Sequence, residues 1–238
     1  MSGFDWQWPF ALEVLPIVLA ACKYTILATL VGFSIALVLG LVLALLRAVR
    51  HPAVRWPVGL IIEFVRGTPV LVQIYFVYFV LPDFGIVLPA LLTGILVLGL
   101  HYSTYVSEVY RGGLANVDRA QWETAKALNL GARRTLFGII LPQALPPIVP
   151  ALGNYLITLF KETPLLSAIA VTEMMQTAKD IGSETFRYTE PITIIGVVFL
   201  VLSLTSAVAI RWVERHLKAR WGIVEEKLNE GTRTNAAL

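Results

Sequence analysis

The long apolar runs constrain this chain more than any other feature. A helix needs about 20 largely apolar residues to cross the hydrocarbon of a bilayer. Five stretches qualify, at about residues 24–46, 56–81, 86–109, 145–160 and 191–210; the fourth is short and flanked by prolines. Composition agrees that lipid is the solvent. Hydrophobic residues make up 57% of the chain and charged residues 15%, against about 45–50% and about 25% in a soluble domain. A disordered chain, a nucleic-acid-binding domain and most soluble enzymes are excluded. With 238 residues in all, five spans leave room for little else. The expected fold is an all-α membrane protein of five transmembrane helices. The single cysteine, Cys22, excludes a disulfide framework and a cysteine-based zinc site.

Lysine and arginine mark the cytoplasmic loops of membrane proteins. The first loop carries Arg47, Arg50 and Arg55, and the loop after span three carries Arg111, Arg119, Lys126, Arg133 and Arg134. The tail carries Arg211, Arg215, Lys218, Arg220, Lys227 and Arg233. The opposite side has Lys161, Lys179 and Arg187, offset by Asp5, Glu13, Asp83 and later carboxylates. This asymmetry predicts the N-terminus outside, the C-terminus inside and an odd number of spans. The first residues lack the basic start of a signal peptide, and Asp5, Trp6 and Trp8 suit an interfacial lead-in. Residues 10–22 contain Glu13 and run into Lys23, so they read as an interfacial helix. The chain then divides into an extracytoplasmic interfacial segment at 1–23, a five-span domain at 24–220 and a cytoplasmic tail at 221–238.

Residues 111–144 form an inner loop polar enough to fold on the membrane surface. Asp118 is a candidate N-cap, with Gln121 three residues later as in a capping box. Good helix formers follow, and Asn129 suits the left-handed residue that ends a helix. A helix is expected over 118–128 and a second over 132–140, stopped by Leu141-Pro142. With Trp122 at the interface, the two make a knob projecting into the cytoplasm. The plain alternative is a surface helix that only tethers spans three and four. An outer surface helix is expected within 172–181.

Several chemistries are missing. No G-x-x-x-x-G-K-[ST] run is present, so the chain holds no Walker-type ATP site. His51, His101 and His216 have no metal-site spacing; His51 and His216 sit among basic loop residues, while His101 lies mid-span. No serine, histidine and acid grouping suggests a hydrolase. Uphill transport would draw its energy from an ion gradient or from a partner.

Glu123-Thr124-Ala125, then Asn129, then Ile139-Ile140-Leu141-Pro142 resembles the EAA loop of ABC importer permeases. Glu123, Ala125, Ile139 and Leu141-Pro142 match that pattern in spacing. Thr124 stands where the pattern has alanine and Asn129 where it has glycine. The polar amino acid subgroup is also resembled by Arg66-Gly67-Thr68-Pro69 with Leu71, Val72 and Gln73, by Tyr105 to Gly112, and by Pro150-Ala151-Leu152-Gly153-Asn154. Their order and spacing together are specific. The resemblance implies a five-span type I importer permease in the bacterial cytoplasmic (inner) membrane. It further implies a second permease, identical or related, a dimer of ABC ATPase subunits and an extracytoplasmic solute-binding protein. ATP and magnesium would sit on the ATPase, with no cofactor on this chain. Trp122, Glu123, Thr124, Ala125, Asn129, Leu141 and Pro142 would couple ATPase closure to the spans, with Glu123 the main polar contact, Asn129 the hinge and Leu141-Pro142 redirecting the chain into span four.

Charged groups within spans are expensive and mark function or pair with one another. In Lys161-Glu162-Thr163-Pro164, Pro164 removes a donor and restricts Thr163, so span four should break there. A broken helix exposes backbone groups to a charged ligand. The family places this region near the substrate cavity, which makes Glu162 and Thr163 candidate substrate residues; an interfacial charge pair is the alternative. Span three carries Tyr102, Ser103, Thr104 and Tyr105, and His101, Tyr102 and Tyr105 can offer hydrogen bonds and aromatic faces to a cation. Tyr102, Ser103 and Tyr105 are therefore candidates too, against helix-packing glue. Arg66 and Glu108 suit a structural or gating pair between spans, and Lys23 can snorkel to the interface.

The expected function is the permease of an ATP-driven importer for a polar amino acid or an ectoine-type compatible solute. The run 181–188, just before Glu190-Pro191-Ile192-Thr193, is similar to permeases for ectoine and hydroxyectoine. An ion-coupled secondary transporter using Glu63, Glu108 and Glu162 is the alternative, awkward in five spans without a repeat. A membrane-embedded enzyme is disfavoured by the missing catalytic groups.

Overall fold

The computed structural model describes residues 6–220. Asp5 and the expected tail at 221–238 lie outside the described residues. Among the described residues every regular element is helical. Four helices are long and apolar enough to cross a membrane, and the count rises to the expected five when the pair bent by 101° is taken as one broken span.

Helix α1 (Trp8–Ala48) has 41 residues, which at 1.5 Å each is ~60 Å. That is about twice the hydrocarbon thickness. Residues 10–22 are helical, and they run through Lys23 into span one without a break. Small residues repeat along the buried face of α1, including Ala21, Ala28, Gly32, Ala36, Gly40 and Ala44. In lipid, where apolar burial gives no drive, small residues allow backbones to approach and gain dispersion contacts. The partner is α4 (Ala90–Ala115), the neighbour on which α1 packs most extensively. A Cβ on Gly99 would lie 3.0 Å from the Gly32 carbonyl oxygen, and one on Gly40 would lie 2.6 Å from Val106. The buried hydroxyls of Ser103, Thr104 and Ser107 donate to carbonyls of their own helix, at 2.6, 2.7 and 2.7 Å. These three polar residues thus sit in the bundle with their donors satisfied, whereas the buried hydroxyls of Thr25 and Thr93 have no partner among the described residues.

Span two differs from the single run expected at 56–81. It is α2 (Pro52–Gly67) followed by α3 (Val70–Tyr75), with the 101° bend between them. Pro69 has no N–H and drives Thr68 to an extended backbone, φ −106° and ψ 138°. The Gln73 amide fills the break, donating to the Val65 carbonyl at 2.7 Å and to Thr68 Oγ1 at 2.7 Å. Helix α3 widens into a π turn at Phe76–Val80 and tightens into a 3₁₀ turn at Leu81–Phe84. Gly85, at φ 81°, ends it.

The inner loop holds α5 (Arg119–Ala127) and α6 (Ala132–Thr135). Leu141-Pro142 does not stop the second helix as expected. The chain runs from α6 through a π turn at Leu136–Ile140 into α7 (Leu141–Glu162). A proline inside an α-helix clashes with the carbonyl four residues back. Here the Leu141 N–H bonds the Leu136 carbonyl, five residues back, and the wider turn makes room for the ring. The break expected at Pro164 is a tightening instead: α7 passes into a 3₁₀ stretch, Thr163–Ile169, that ends on left-handed Ala170 at φ 56°.

The expected outer helix is α8 (Met174–Thr185), which precedes the last span, α9 (Thr189–Arg220). Val14, Val18 and Ala21 of α1 pack against Met174, Ala178 and Ile195. Glu190 accepts the Gln7 N–H at 3.1 Å and pairs with Arg187, tying the start of α1 to the start of α9.

Candidate functional site

Two places bring candidate residues together. The first lies between α4 and α7. Tyr102 and Tyr105 stand about one turn apart on α4, and their ring centroids are 6.0 Å apart. Tyr155 of α7 closes the triangle, 6.2 Å from Tyr102 and 5.6 Å from Tyr105. Glu162 is two turns beyond Tyr155 on the same helix, because seven residues bring a helix back to nearly the same face. The Tyr102 side chain interacts with the Glu162 carboxylate, yet Glu162 Oε2 is buried with no hydrogen-bond partner among the described residues. His101 packs 5.4 Å from Tyr105, and the Arg66 guanidinium lies 4.9 Å over the Tyr105 ring. Arg66 already occupies a face of Tyr105, and the cluster adds the rings of Tyr102 and Tyr155 and one under-used carboxylate oxygen, a combination suited to a small cation.

Two candidates are not brought to this cluster as ligands. Ser103 is fully buried and its hydroxyl is spent on the Leu100 carbonyl at 2.6 Å. Thr163 is also fully buried and bonds the Phe160 carbonyl at 2.8 Å. The expected ion pair between Arg66 and Glu108 is not formed. Glu108 takes Arg111, three residues along its own helix, at 2.7 Å, while Arg66 goes to the Tyr105 ring.

Sequence reasoning missed Tyr155 and the role of Gln73. The seven-residue spacing from Tyr155 to Glu162 is the signal that could have found the first. The second had a weaker signal, an amide four residues after a proline break. His101 Nδ1 lies 3.3 Å from Gln73 Oε1, so the break in span two touches the aromatic cluster through one side chain.

The second place is α5. Asp118 caps it, accepting the Ala120 N–H at 2.9 Å. At the other end Asn129 is left-handed, at φ 50°. Its N–H bonds the Lys126 carbonyl and the Leu130 N–H bonds the Ala125 carbonyl, each at 3.0 Å. These two bonds are a Schellman closure. Ala125 is the one buried residue of α5, and α5 meets the Leu136–Ile140 turn. Trp122, Glu123 and Thr124 are exposed. Leu141 and Pro142 lie in the first turn of α7 and are half-buried.

A membrane-spanning bundle with an aromatic and acidic cluster inside, and a rigidly capped helix exposed at one end, has the build of an integral membrane transport component. The chain belongs to the family of inner membrane components of binding-protein-dependent transport systems, which it matches over residues 36–219. It is 45% identical over 225 residues to the probable amino-acid ABC transporter permease protein y4tG of Sinorhizobium fredii, covering 92% of this chain and 97% of that one. It is 35% identical to the arginine transport system permease protein ArtQ of Bacillus subtilis, covering 90% and 94%. Its fold is similar to the crystal structure of an amino acid ABC transporter with histidines, with TM-score 0.85, 31% identity and coverage of 90% and 100%. The methionine ABC transporter in an inward-facing conformation, at 20% identity and TM-score 0.68, shares the fold. The family expected from the Glu123 segment is the family found. Nothing in these likenesses supports the ion-coupled alternative.

Proposed function

We propose that this chain is the permease subunit of an ATP-driven importer that moves a small zwitterion with a cationic group across the bacterial inner membrane. Polar amino acids are the first candidates and ectoine-type solutes the second. The carrying observation is the Tyr102, Tyr105 and Tyr155 triangle against Glu162, whose Oε2 is buried without a partner. A carboxylate with one oxygen buried and unpartnered among the described residues, and reached by the Tyr102 side chain, favours a delocalised or ammonium cation. Relatives named for arginine and glutamine transport support the amino acid reading. The run at 181–188 is what favours ectoine, and it lies away from the cluster.

The remaining parts follow the family. ATP and magnesium sit on a partner ATPase dimer, and this chain binds no cofactor of its own. A second permease, identical or related, completes the pathway, and an extracytoplasmic binding protein delivers substrate. Helix α5 docks in the ATPase through Trp122, Glu123 and Thr124, the exposed residues of its middle. Closure of the ATPase pushes α5, and the continuous helix from Ala132 to Ile169 carries the push to Glu162.

The test is ATP-driven uptake into vesicles that hold this chain with its ATPase, partner permease and binding protein. Labelled arginine, histidine, glutamine and ectoine are compared, with Glu162→Gln and Glu123→Ala alongside. Uptake that requires ATP and falls in both variants is expected. Uptake that follows a proton gradient without ATP overturns the reading.

A further inference from the structure

The end of the bundle that holds the first basic loop carries a cavity separate from both candidate places. A cavity of about 510 Å³ opens between the end of α1 and the first half of α2, lined by Arg47, Arg55, Trp56, Gly59, Leu60 and Glu63. Arg47 reaches across α2 where Gly59 leaves space, since a Cβ there would lie 2.3 Å from its Nη1. Neither Arg47 nor Arg55 makes an ion pair or a side-chain hydrogen bond among the described residues. Glu63 is the one carboxylate among the described residues that lines the cavity; Glu108 acts on Arg47 from α4 but is paired with Arg111, which leaves an excess of positive charge.

The wall beyond the arginines is apolar and faces outward. Trp56, Leu60 and Phe64 follow one another at four-residue spacing, exposed by 70%, 65% and 71%. That spacing makes one stripe along the helix. A tryptophan at the level of the arginines fits the headgroup region, and the stripe below it fits an acyl chain.

We infer that this cavity binds the phosphate headgroup of an anionic phospholipid, with Arg47 and Arg55 on the phosphate and the Trp56, Leu60 and Phe64 stripe along the acyl chain. Basic pockets beside membrane helices bind such headgroups by charge. Glu63 disfavours a second negative charge deep in the cavity, so a singly charged diester such as phosphatidylglycerol fits better than a multiply charged phosphate. The site is independent of the substrate cluster and of the transport reading.

Native mass spectrometry of the full-length chain in mild detergent tests it, with phosphatidylglycerol and phosphatidylcholine of matched acyl chains. The unsubstituted protein should retain phosphatidylglycerol preferentially. Arg47→Gln with Arg55→Gln should lower that preference by at least about fivefold, the worth of one arginine at an anionic surface, with no simple product expected because both arginines share one phosphate. The corresponding lysine double variant should keep most of the preference, since it keeps the charge. Arg133→Gln with Arg134→Gln, in the other basic loop, should leave it unchanged. Equal retention of the two lipids by the unsubstituted protein overturns the proposal without any variant. So does an undiminished preference in the glutamine double variant. Binding of millimolar glycerol 1-phosphate by a protein that shows no preference between the two lipids would assign the site to free phosphates and overturn the lipid.

Discussion

Glu162 concentrates the argument at the scale of single residues. A carboxylate oxygen left unpartnered in a buried place is costly, and a ligand cation that satisfies it recovers that cost. Glu162→Gln keeps the shape and removes the charge. A hydrogen bond to a charged group is worth about 1.5–3 kcal/mol, so KM for uptake should rise about 10- to 100-fold. Tyr155→Leu should raise KM by a smaller factor and Tyr155→Phe hardly at all, if the ring face is what matters; concentration series of labelled uptake measure both. Glu162 was legible in the sequence, because a charge beside a proline within an apolar run stands out. Ser103 and Thr163 were misleading for the same reason: a hydroxyl in a span looks functional, yet it can be satisfied by its own helix. Glu173, outside the spans, was not legible at all. It is fully buried at the start of α8 and accepts the Met175 and Gln176 N–H groups at 2.9 and 2.8 Å. Burial pushes its carboxyl up to about 7, although those two donors and Lys179 pull the other way. Its folded value is above its unfolded value near 4.5, so the folded state holds the proton more tightly. Its contribution to stability is full below pH 4.5 and is lost as pH rises to 7, by on the order of 3 kcal/mol at most. Thermal unfolding of the protein in detergent at pH 5 and pH 8 should show a drop that Glu173→Gln flattens.

Among the elements, the two π turns explain most of what the sequence could not say. Each is followed at once by Leu-Pro: Phe76–Val80 by Leu81-Pro82, and Leu136–Ile140 by Leu141-Pro142. Proline rules treat such a pair as a stop, but a widened turn in front of it removes the clash. Which pair ends its helix is decided later, by Gly85 in the first case and by the tight packing of Ile140, Ala144 and Ile148 in the second. Neither the turn nor that packing is visible in local sequence. Helix α5 is the opposite case. Asp118 and Asn129 mark its two ends in the sequence and do so in the structure. Asn129→Gly should preserve transport, because glycine adopts the left-handed conformation at least as readily. Asn129→Val should impair coupling, because a β-branched residue resists that conformation. ATPase activity stimulated by binding protein, measured in the complex, should stay near the unsubstituted level for glycine and fall severalfold for valine. At the bend of span two, Gln73→Leu removes the amide from the Val65 and Thr68 oxygens and from His101. At about 1 kcal/mol per lost bond, the variant should unfold at lower temperature in the same detergent assay.

At the scale of the whole molecule, the length of α1 and the placement of charge bear on one question, the orientation of the bundle. A helix of ~60 Å is too long for hydrocarbon about 30 Å thick at ordinary tilts of up to about 40°, so one end stands clear of it. The Trp8 end is packed against α8 and α9, so the stretch before Lys23 belongs with the α8 layer, on the face opposite α5. The basic residues predict a cytoplasmic α5, and with it Trp8 and α8 outside. Cysteine labelling decides it cleanly, since Cys22 is the one native cysteine. In a Cys22→Ser background, Ser183→Cys on exposed α8 and Leu128→Cys at the exposed end of α5 should behave oppositely. A membrane-impermeant maleimide added to intact spheroplasts should label position 183 at once and position 128 only after permeabilisation. Leu12→Cys, exposed on α1, should label like position 183 if the helix stands clear of the bilayer, and should resist labelling on either side if lipid covers it. The reverse pattern at 128 and 183 would invert the bundle, move the cavity at Arg47 and Arg55 to the outer leaflet, and place α5 where no ATPase can reach it.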